Sequence, residues 1–307
     1  MTDWNPSRWA TPDGVERARA LLAEVALCVP IYDEPARQTA RDLDTLGKLG
    51  ALQERLSGMS NIGSARNALT ARFLAGPRLW SLWIDGDVFA PEGTATWLEF
   101  VAHALERVTQ AATRFPPPIF AGAYPCKQDG DGTLACVFRD PASVVLGQGG
   151  GYHLADWIGG GAVLAHRATI KRLAEHLGIP GPGRVRYLWE RVHYFGPWLW
   201  RNGLRRTDDP DPELEGELAL EEHGEDVGLS ATAGAAGVAI EVDTRLRLDH
   251  RGEHAFTWEQ ALGPPRQRSA SVRISAQRLA VEAERALDPG RIVLPSPAER
   301  RALLGRT

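Results

Sequence analysis

The run Leu79-Trp80-Ser81-Leu82-Trp83-Ile84 is apolar but for one serine, and it breaks off into Asp85-Gly86-Asp87. A short run of this kind, with no polar alternation, reads as a strand covered on both faces. Its neighbours repeat the theme. Residues 24–34 read as a second buried strand, ending in Pro30, Tyr32, Asp33 and Glu34. Helical spacing covers 15–23, 36–50, 61–76 and 96–108, and 117–127 reads as a further strand. In the 61–76 helix, Asn61 or Ser64 can cap the start and Gly76-Pro77 stops the end. Strands that alternate with helices call for an α/β domain with a largely parallel sheet. Ligands of such sheets sit beyond the carboxyl ends of the strands, where the crossovers leave a crevice. Asp33, Glu34, Asp85 and Asp87 all fall on that edge.

The second half is less regular. A hairpin is expected around Asp129–Gly132, followed by two glycine triplets, 149–151 and 159–161, then a strand and a helix. Residues 207–226 carry ten acidic side chains and no Lys or Arg, so the first part reads as a solvated, mobile loop. Two short strands are expected within 237–250. From Pro264 onward nine Arg stand against four acids, with a helix expected near 275–287. That tail suits a packed or solvated helix, a membrane-surface contact, or a handle for a polyanionic acceptor. The aromatic group in 187–200 suits a sugar-stacking wall, a core or a dimer interface. No internal repeat is present.

At 307 residues, 43% hydrophobic and 24% charged, the chain can bury a sizeable core. A formal charge of -4 argues against non-specific wrapping of nucleic acid. Cys28, Cys126 and Cys136 form no spaced framework and read as reduced thiols, with Cys126 and Cys136 able to face each other across the hairpin. The N-terminus has no apolar signal segment, and no run reaches the roughly 18 residues that span a bilayer. The expectation is a soluble cytoplasmic protein.

Four groups can carry chemistry. Asp85 and Asp87, one residue apart at a strand end, can share a hard divalent cation, with Gly86 leaving room for a ligand; they can equally form a solvated turn. Glu225-Asp226 opens a helix, where acids serve either as a general base or simply as favourable charges at the helix start. His250, just past a strand, can complete a metal site or be structural. Arg66 and Asn67, near a helix start, can hold a nucleotide or phosphate, or be a surface Arg and a cap.

Taken in order, these groups resemble GT-A fold glycosyltransferases. The likeness is to family 2 enzymes, their bacterial and phage-associated branch, and related mannosyltransferases. The stretch SARNALTARFLAGPRLWSLWIDGDVF is its most specific part, AGAYPCK supports it, and it covers roughly residues 24–256. The resemblance implies a metal-dependent transferase moving a sugar from a nucleotide-sugar donor, with Mn²⁺ or Mg²⁺ as cofactor. The acceptor stays open: a glycan, a lipid-linked or small molecule, or modified nucleic acid. Pro30, Tyr32 and Glu34 would lie along the base and ribose, and Arg66 would reach the nucleotide or its phosphates. Asp85 would face ribose or metal, Asp87 and His250 would bind the metal, and Gly160 and Gly161 would line the sugar pocket. Asp226, with Glu225 as second choice, would be the base of an inverting enzyme or orient the acceptor in a retaining one. Residues 1–262 would form this domain and 263–307 a helical, Arg-rich extension. The chain departs from the family in its thin acidic patch after the first strand, its long acidic 207–224 insertion and its Ala-rich 228–237 segment.

Three rival readings stand beside it. A haloacid-dehalogenase-like phosphatase would use Asp85 as nucleophile and Asp87 as acid/base, with Lys171 the available lysine. A catalytically inactive GT-A domain would bind sugar nucleotide alone. A nucleotidyltransferase would need a Gly-rich, Lys-bearing N-terminal loop that is missing here.

Overall fold

The computed structural model describes residues 5–31, 34–58, 62–110, 115–126, 134–147, 149–177, 204–206, 218–222, 225–251, 255–256 and 270–274. They fall into two compact units, Met1–His193 with Gly224–Gln267, and Tyr194–His223 with Arg268–Thr307. In chain order the elements begin α1 (Pro12–Leu22), β1 (Val25–Ile31), α2 (Arg37–Lys48), β2 (Leu52–Ser57), α3 (Ile62–Ala75), β3 (Trp80–Ile84) and β4 (Val88–Phe89). There follow α4 (Thr94–Gln110), β5 (Ile119–Gly122), β6 (Cys136–Phe138), β7 (Tyr152–Ile158), β8 (Ala162–His166) and α5 (Arg167–His176). The chain then forms β9 (Leu204–Arg206), β10 (Leu218–Glu222), α6 (Glu225–Ala235), β11 (Ile240–Asp243), β12 (Asp249–Arg251), β13 (Ala255–Phe256) and β14 (Ala270–Ile274).

Local chemistry explains the helix ends. Thr11 caps α1 by accepting a hydrogen bond from Gly14 N, and Pro12 takes the first helical position, where no N–H is needed. His166 caps α5 through Nδ1, which accepts from Ala168 N at 3.1 Å. Arg167 closes the far end of α3: Nη1 donates to Leu74 O at 2.7 Å, and Nη2 to Phe73 O at 2.9 Å and Gly76 O at 2.6 Å. One guanidinium thus satisfies carbonyls that a helix end leaves orphaned.

The larger unit is built on one sheet in the order β2-β1-β3-β8-β5-β11-β7-β6. It is mixed rather than largely parallel. β2, β1 and β3 run parallel, as do β5 and β11, but β8 lies antiparallel between β3 and β5, and β7 lies antiparallel to β11 and β6. The physical reason is the connection. A parallel neighbour needs a crossover, usually a helix. Among the described residues, the chain between β5 and β8 holds only strands and a short 3₁₀ turn, and β8 comes back the opposite way.

Alternation along the strands divides the core. Ala26, Cys28 and Trp83 face α3, α5 and α6 with Leu69, Phe73, Ile170 and Leu229. Val25, Leu27, Leu82 and Ile84 face α1, α2 and α4 with Leu22, Leu43, Trp97 and Phe100. Trp83, Trp97 and Phe100 are all fully buried, and truncating any one would cost about 3–5 kcal/mol. All three cysteines are free, and burial pushes the Cys28 and Cys136 thiols up.

The smaller unit shows a three-stranded antiparallel sheet in the order β14-β10-β9. Leu218–Glu222, from the acidic stretch, is its central strand, and it pairs with the start of the Arg-rich tail. The contacts group Tyr194–His223 with Arg268–Thr307. The expected helix near 275–287 and the aromatic group at 187–200 lie outside the described residues.

Candidate functional site

The expected residues converge at one edge of the larger sheet. β3 ends at Ile84, and Asp85 N donates to Gly161 O at 3.1 Å, which ties the carboxylate segment to the turn before β8. Because β8 is antiparallel, its start lies beside the end of β3, and Ala162 pairs with Ile84. β5 ends at Gly122 next to Asp243, and Tyr124 follows two residues on. Glu225 and Asp226 form the first turn of α6, as expected.

Arg66 is the hub. It sits on α3, almost fully buried. Its Nη2 donates to both oxygens of Asp85 at 2.9 Å, and Nη1 donates to Glu225 Oε1 at 2.5 Å. Burial alone would weaken the guanidinium's charge, but Asp85, Glu225 and Asp226 together hold its pKa above the ordinary value. The Asp85 carboxyl is pushed up, by burial first and by Asp87 and Glu225 in addition, with Arg66 pulling the other way.

The glycine triplet has a steric reason at Gly160. A Cβ there would run into the Arg66 guanidinium, so only glycine lets the backbone pass so closely. At Gly161 a Cβ would meet Val88 Cγ2 at 2.7 Å and the Tyr124 hydroxyl at 2.8 Å. Gly161 N donates to that hydroxyl at 2.8 Å. Burial, then the charges of Asp85 and Asp226, raise the Tyr124 phenol well above its ordinary pKa, so it stays neutral. Tyr124 was given no role by sequence, although it lies within AGAYPCK.

Asp87 and His250 meet through a β-ladder. β12 pairs antiparallel with β4, placing His250 opposite Val88, and Arg251 N donates to Asp87 O at 2.8 Å. His250 Nε2 lies 3.4 Å from Asp87 Oδ1. Its Nδ1 lies 3.0 Å from Pro125 O, which can only accept, so Nδ1 carries the hydrogen. Nε2 is then the nitrogen turned toward Asp87, and a backbone carbonyl on the other ring nitrogen is the usual way a metal-ligating histidine is oriented. Two ligands on adjacent positions of one octahedral ion would stand about 3 Å apart.

Asp85 does not join that pair as a third ligand. Its oxygens belong to Arg66, and among the described residues no group of three or more His, Cys, Asp or Glu side chains could hold a metal. The Asp87–His250 pair fits a cation bound by one or two side chains, with water and phosphate oxygens completing the shell.

The remaining expected residues are placed as follows. Pro30 is buried at the end of β1, paired with Leu56. Glu34 is exposed, and Ala36 N donates to Gly86 O at 2.6 Å, bringing this segment against the Asp-Gly-Asp. Tyr32 and Asn61 lie outside the described residues. Asn67 is buried on α3.

These features define a mixed α/β protein with a cluster of carboxylates, one buried arginine and one histidine at the ends of its parallel strands. No family model and no curated protein matches the chain. Among solved structures, A197 from STIV is similar to it at a TM-score of 0.44 and 13% identity, over 81% of this chain and 97% of that one. No helix among the described residues is long and apolar enough to cross a membrane.

Proposed function

We propose that the protein is a metal-assisted glycosyltransferase with a GT-A-type domain. The observation that carries this reading is the meeting of Asp87 with His250, 3.4 Å apart, beside the Arg66–Asp85–Glu225 cluster. These residues come from distant stretches of sequence and have one chemistry in common. A leaving nucleoside diphosphate needs its developing charge neutralised, and a divalent ion supplies this when bound. Asp87 and His250 would hold Mn²⁺ or Mg²⁺.

The other residues position and exchange protons. Arg66 holds Asp85 facing the donor and binds Glu225 beside it. Glu225 is thereby committed to an ion pair, which leaves Asp226 as the base for an acceptor hydroxyl, or as its orienting group in a retaining enzyme. Gly160 and Gly161 let the sugar pocket wall come close. Pro30, Tyr32 and Glu34 would follow the base and ribose. The phosphatase reading needs Asp85 as a nucleophile; its two bonds to Arg66 favour the transferase.

The test is thermal unfolding of the protein with a panel of nucleoside diphosphates and nucleotide sugars, with and without Mn²⁺. A ligand at a hundredfold excess over its Kd adds about 2.7 kcal/mol to native stability. A rise in Tm that needs both Mn²⁺ and one nucleotide supports the proposal and identifies the base. A rise with Mg²⁺ and a phosphate mimic alone, and none with any nucleotide, would overturn it in favour of the phosphatase.

A further inference from the structure

A charged layer lies on the other face of the sheet, away from the cluster around Arg66. On β11, Ile240 and Val242 face α6 and the apolar core. Glu241 and Asp243, the alternate residues, turn to the α4 side and are buried there. Asp243 takes Arg245 Nε at 2.8 Å and Nη2 at 2.9 Å. Glu241 takes Arg107 Nε at 2.9 Å and Nη2 at 3.3 Å. His103 lies between Asp243, at 3.7 Å, and the fully buried Glu99, at 3.1 Å. Burying this much charge inside a sheet–helix interface is costly, and apolar residues would hold the fold as well. Such layers therefore mark functional candidates.

The layer opens on a cleft of about 460 Å³, within the size range of small-molecule sites. Tyr152 lines it, with the guanidinium carbons of Arg107 and Arg245 at 5.8 and 5.1 Å from its ring centroid. The Tyr152 hydroxyl is buried and has no hydrogen-bond partner among the described residues. Each arginine spends Nε and Nη2 on its carboxylate and keeps Nη1. Gln110 and His103 also line the cleft, and Glu106 contributes a carboxylate. The first glycine triplet also lines the cleft, and a Cβ at Gly149 or Gly151 would meet nothing within 4 Å. Convergent donors around an open space, held by buried carboxylates, are suited to oxyanions.

We propose that this cleft is a second binding site, for a small molecule bearing a phosphoryl or carboxylate group, held by Arg107, Arg245 and the Tyr152 hydroxyl. It is separate from the proposed transferase site and does not depend on that reading.

The experiment is thermal unfolding of the full chain at constant ionic strength, titrated with inorganic phosphate and, separately, citrate, against a chloride control. The expected result is a saturable rise in Tm that chloride does not reproduce, the stronger of the two probes naming the preferred group. Gly151→Phe puts a bulky ring where a Cβ meets nothing within 4 Å, and should weaken that binding by at least about tenfold. Tyr152→Phe removes only the hydroxyl and should weaken it several-fold, which keeps the test decisive if Gly151→Phe misfolds. The Mn²⁺-dependent nucleotide response of either variant should be unchanged. No anion-specific rise in the unaltered protein, or a rise that both variants keep in full, would overturn the proposal.

Discussion

Arg66 Nη2 sits 2.9 Å from each oxygen of Asp85, while Nη1 of the same side chain holds Glu225 at 2.5 Å. A buried cation therefore joins the end of β3 to the start of α6, elements that sequence places far apart. A buried ion pair adds little net stability, yet removing one partner leaves an uncompensated charge and costs about 3–5 kcal/mol.

Gly160 guards this hub. Gly160→Ala would press a methyl group against the guanidinium and force Arg66 away from its partners. Native stability should fall by about 3 kcal/mol, read as a drop in the urea midpoint. Gly234→Ala is the control. Gly234 is an exposed residue of α6 whose Cβ would meet nothing, so the same change should stabilise by about 0.5–1 kcal/mol. Equal effects at both positions would contradict the steric role of Gly160.

Asp87→Ala should abolish Mn²⁺-dependent binding of the nucleotide donor without unfolding the protein, because the Asp87 side chain is well exposed, at 41%. His250→Ala should weaken the same binding by about 10–100-fold. Isothermal titration with and without Mn²⁺ separates the two effects. Normal metal-dependent binding by Asp87→Ala would remove this residue from the metal site.

The two acids that open α6 should behave differently. Asp226→Asn should keep donor binding and lower release of the nucleoside diphosphate by about 10²–10⁴-fold, the usual worth of a positioned base. Glu225→Gln takes a charged partner from Arg66, and should lower stability by about 1–3 kcal/mol. If Asp226→Asn lost donor binding instead, Asp226 would belong to the donor pocket.

Much of the larger unit was legible in the chain. Buried strands read at 79–84 and 24–34 form at Trp80–Ile84 and Val25–Ile31, and these, the stop at Gly76-Pro77 and the carboxylates opening α6 follow from local rules of burial and capping. Strand direction was not legible. β8 is an apolar run that reads the same whichever way it points, and its direction follows from a connection in which no helix stands among the described residues. The partnership of Arg66 with Glu225 was equally hidden, since sequence presents each as a separate candidate. The charged layer on β11 was hidden in the sequence for another reason. The stretch Ile240-Glu241-Val242-Asp243 has the alternation of a strand with one wet face, and burial of its acidic side needs α4 to fold over it.

Two buried groups give the fold a pH dependence of definite sign. Asp42 lies under α4, accepting from Thr94 Oγ1 at 3.1 Å, Gln38 Nε2 at 3.3 Å and Trp97 Nε1 at 3.4 Å. Burial outweighs these bonds and pushes the carboxyl up to about 6 from 3.8. Between those values the native state keeps a proton that the unfolded chain has released. Stability contributed by protonated Asp42 is therefore lost as pH rises from about 4 to 6, on the order of 2–3 kcal/mol. His103 acts higher. Burial opposes its charge, but the carboxylates of Asp243 and Glu99 prevail and raise its pKa above 6.5. Its contribution is fully present below pH 6.5 and is lost as pH rises through the raised value. Urea midpoints measured from pH 4 to 9 should fall in both windows. Asp42→Asn should flatten the acidic one and His103→Gln the other. A midpoint that climbs between pH 4 and 6, and climbs less in Asp42→Asn, would show that Asp42 is ionised in the native state.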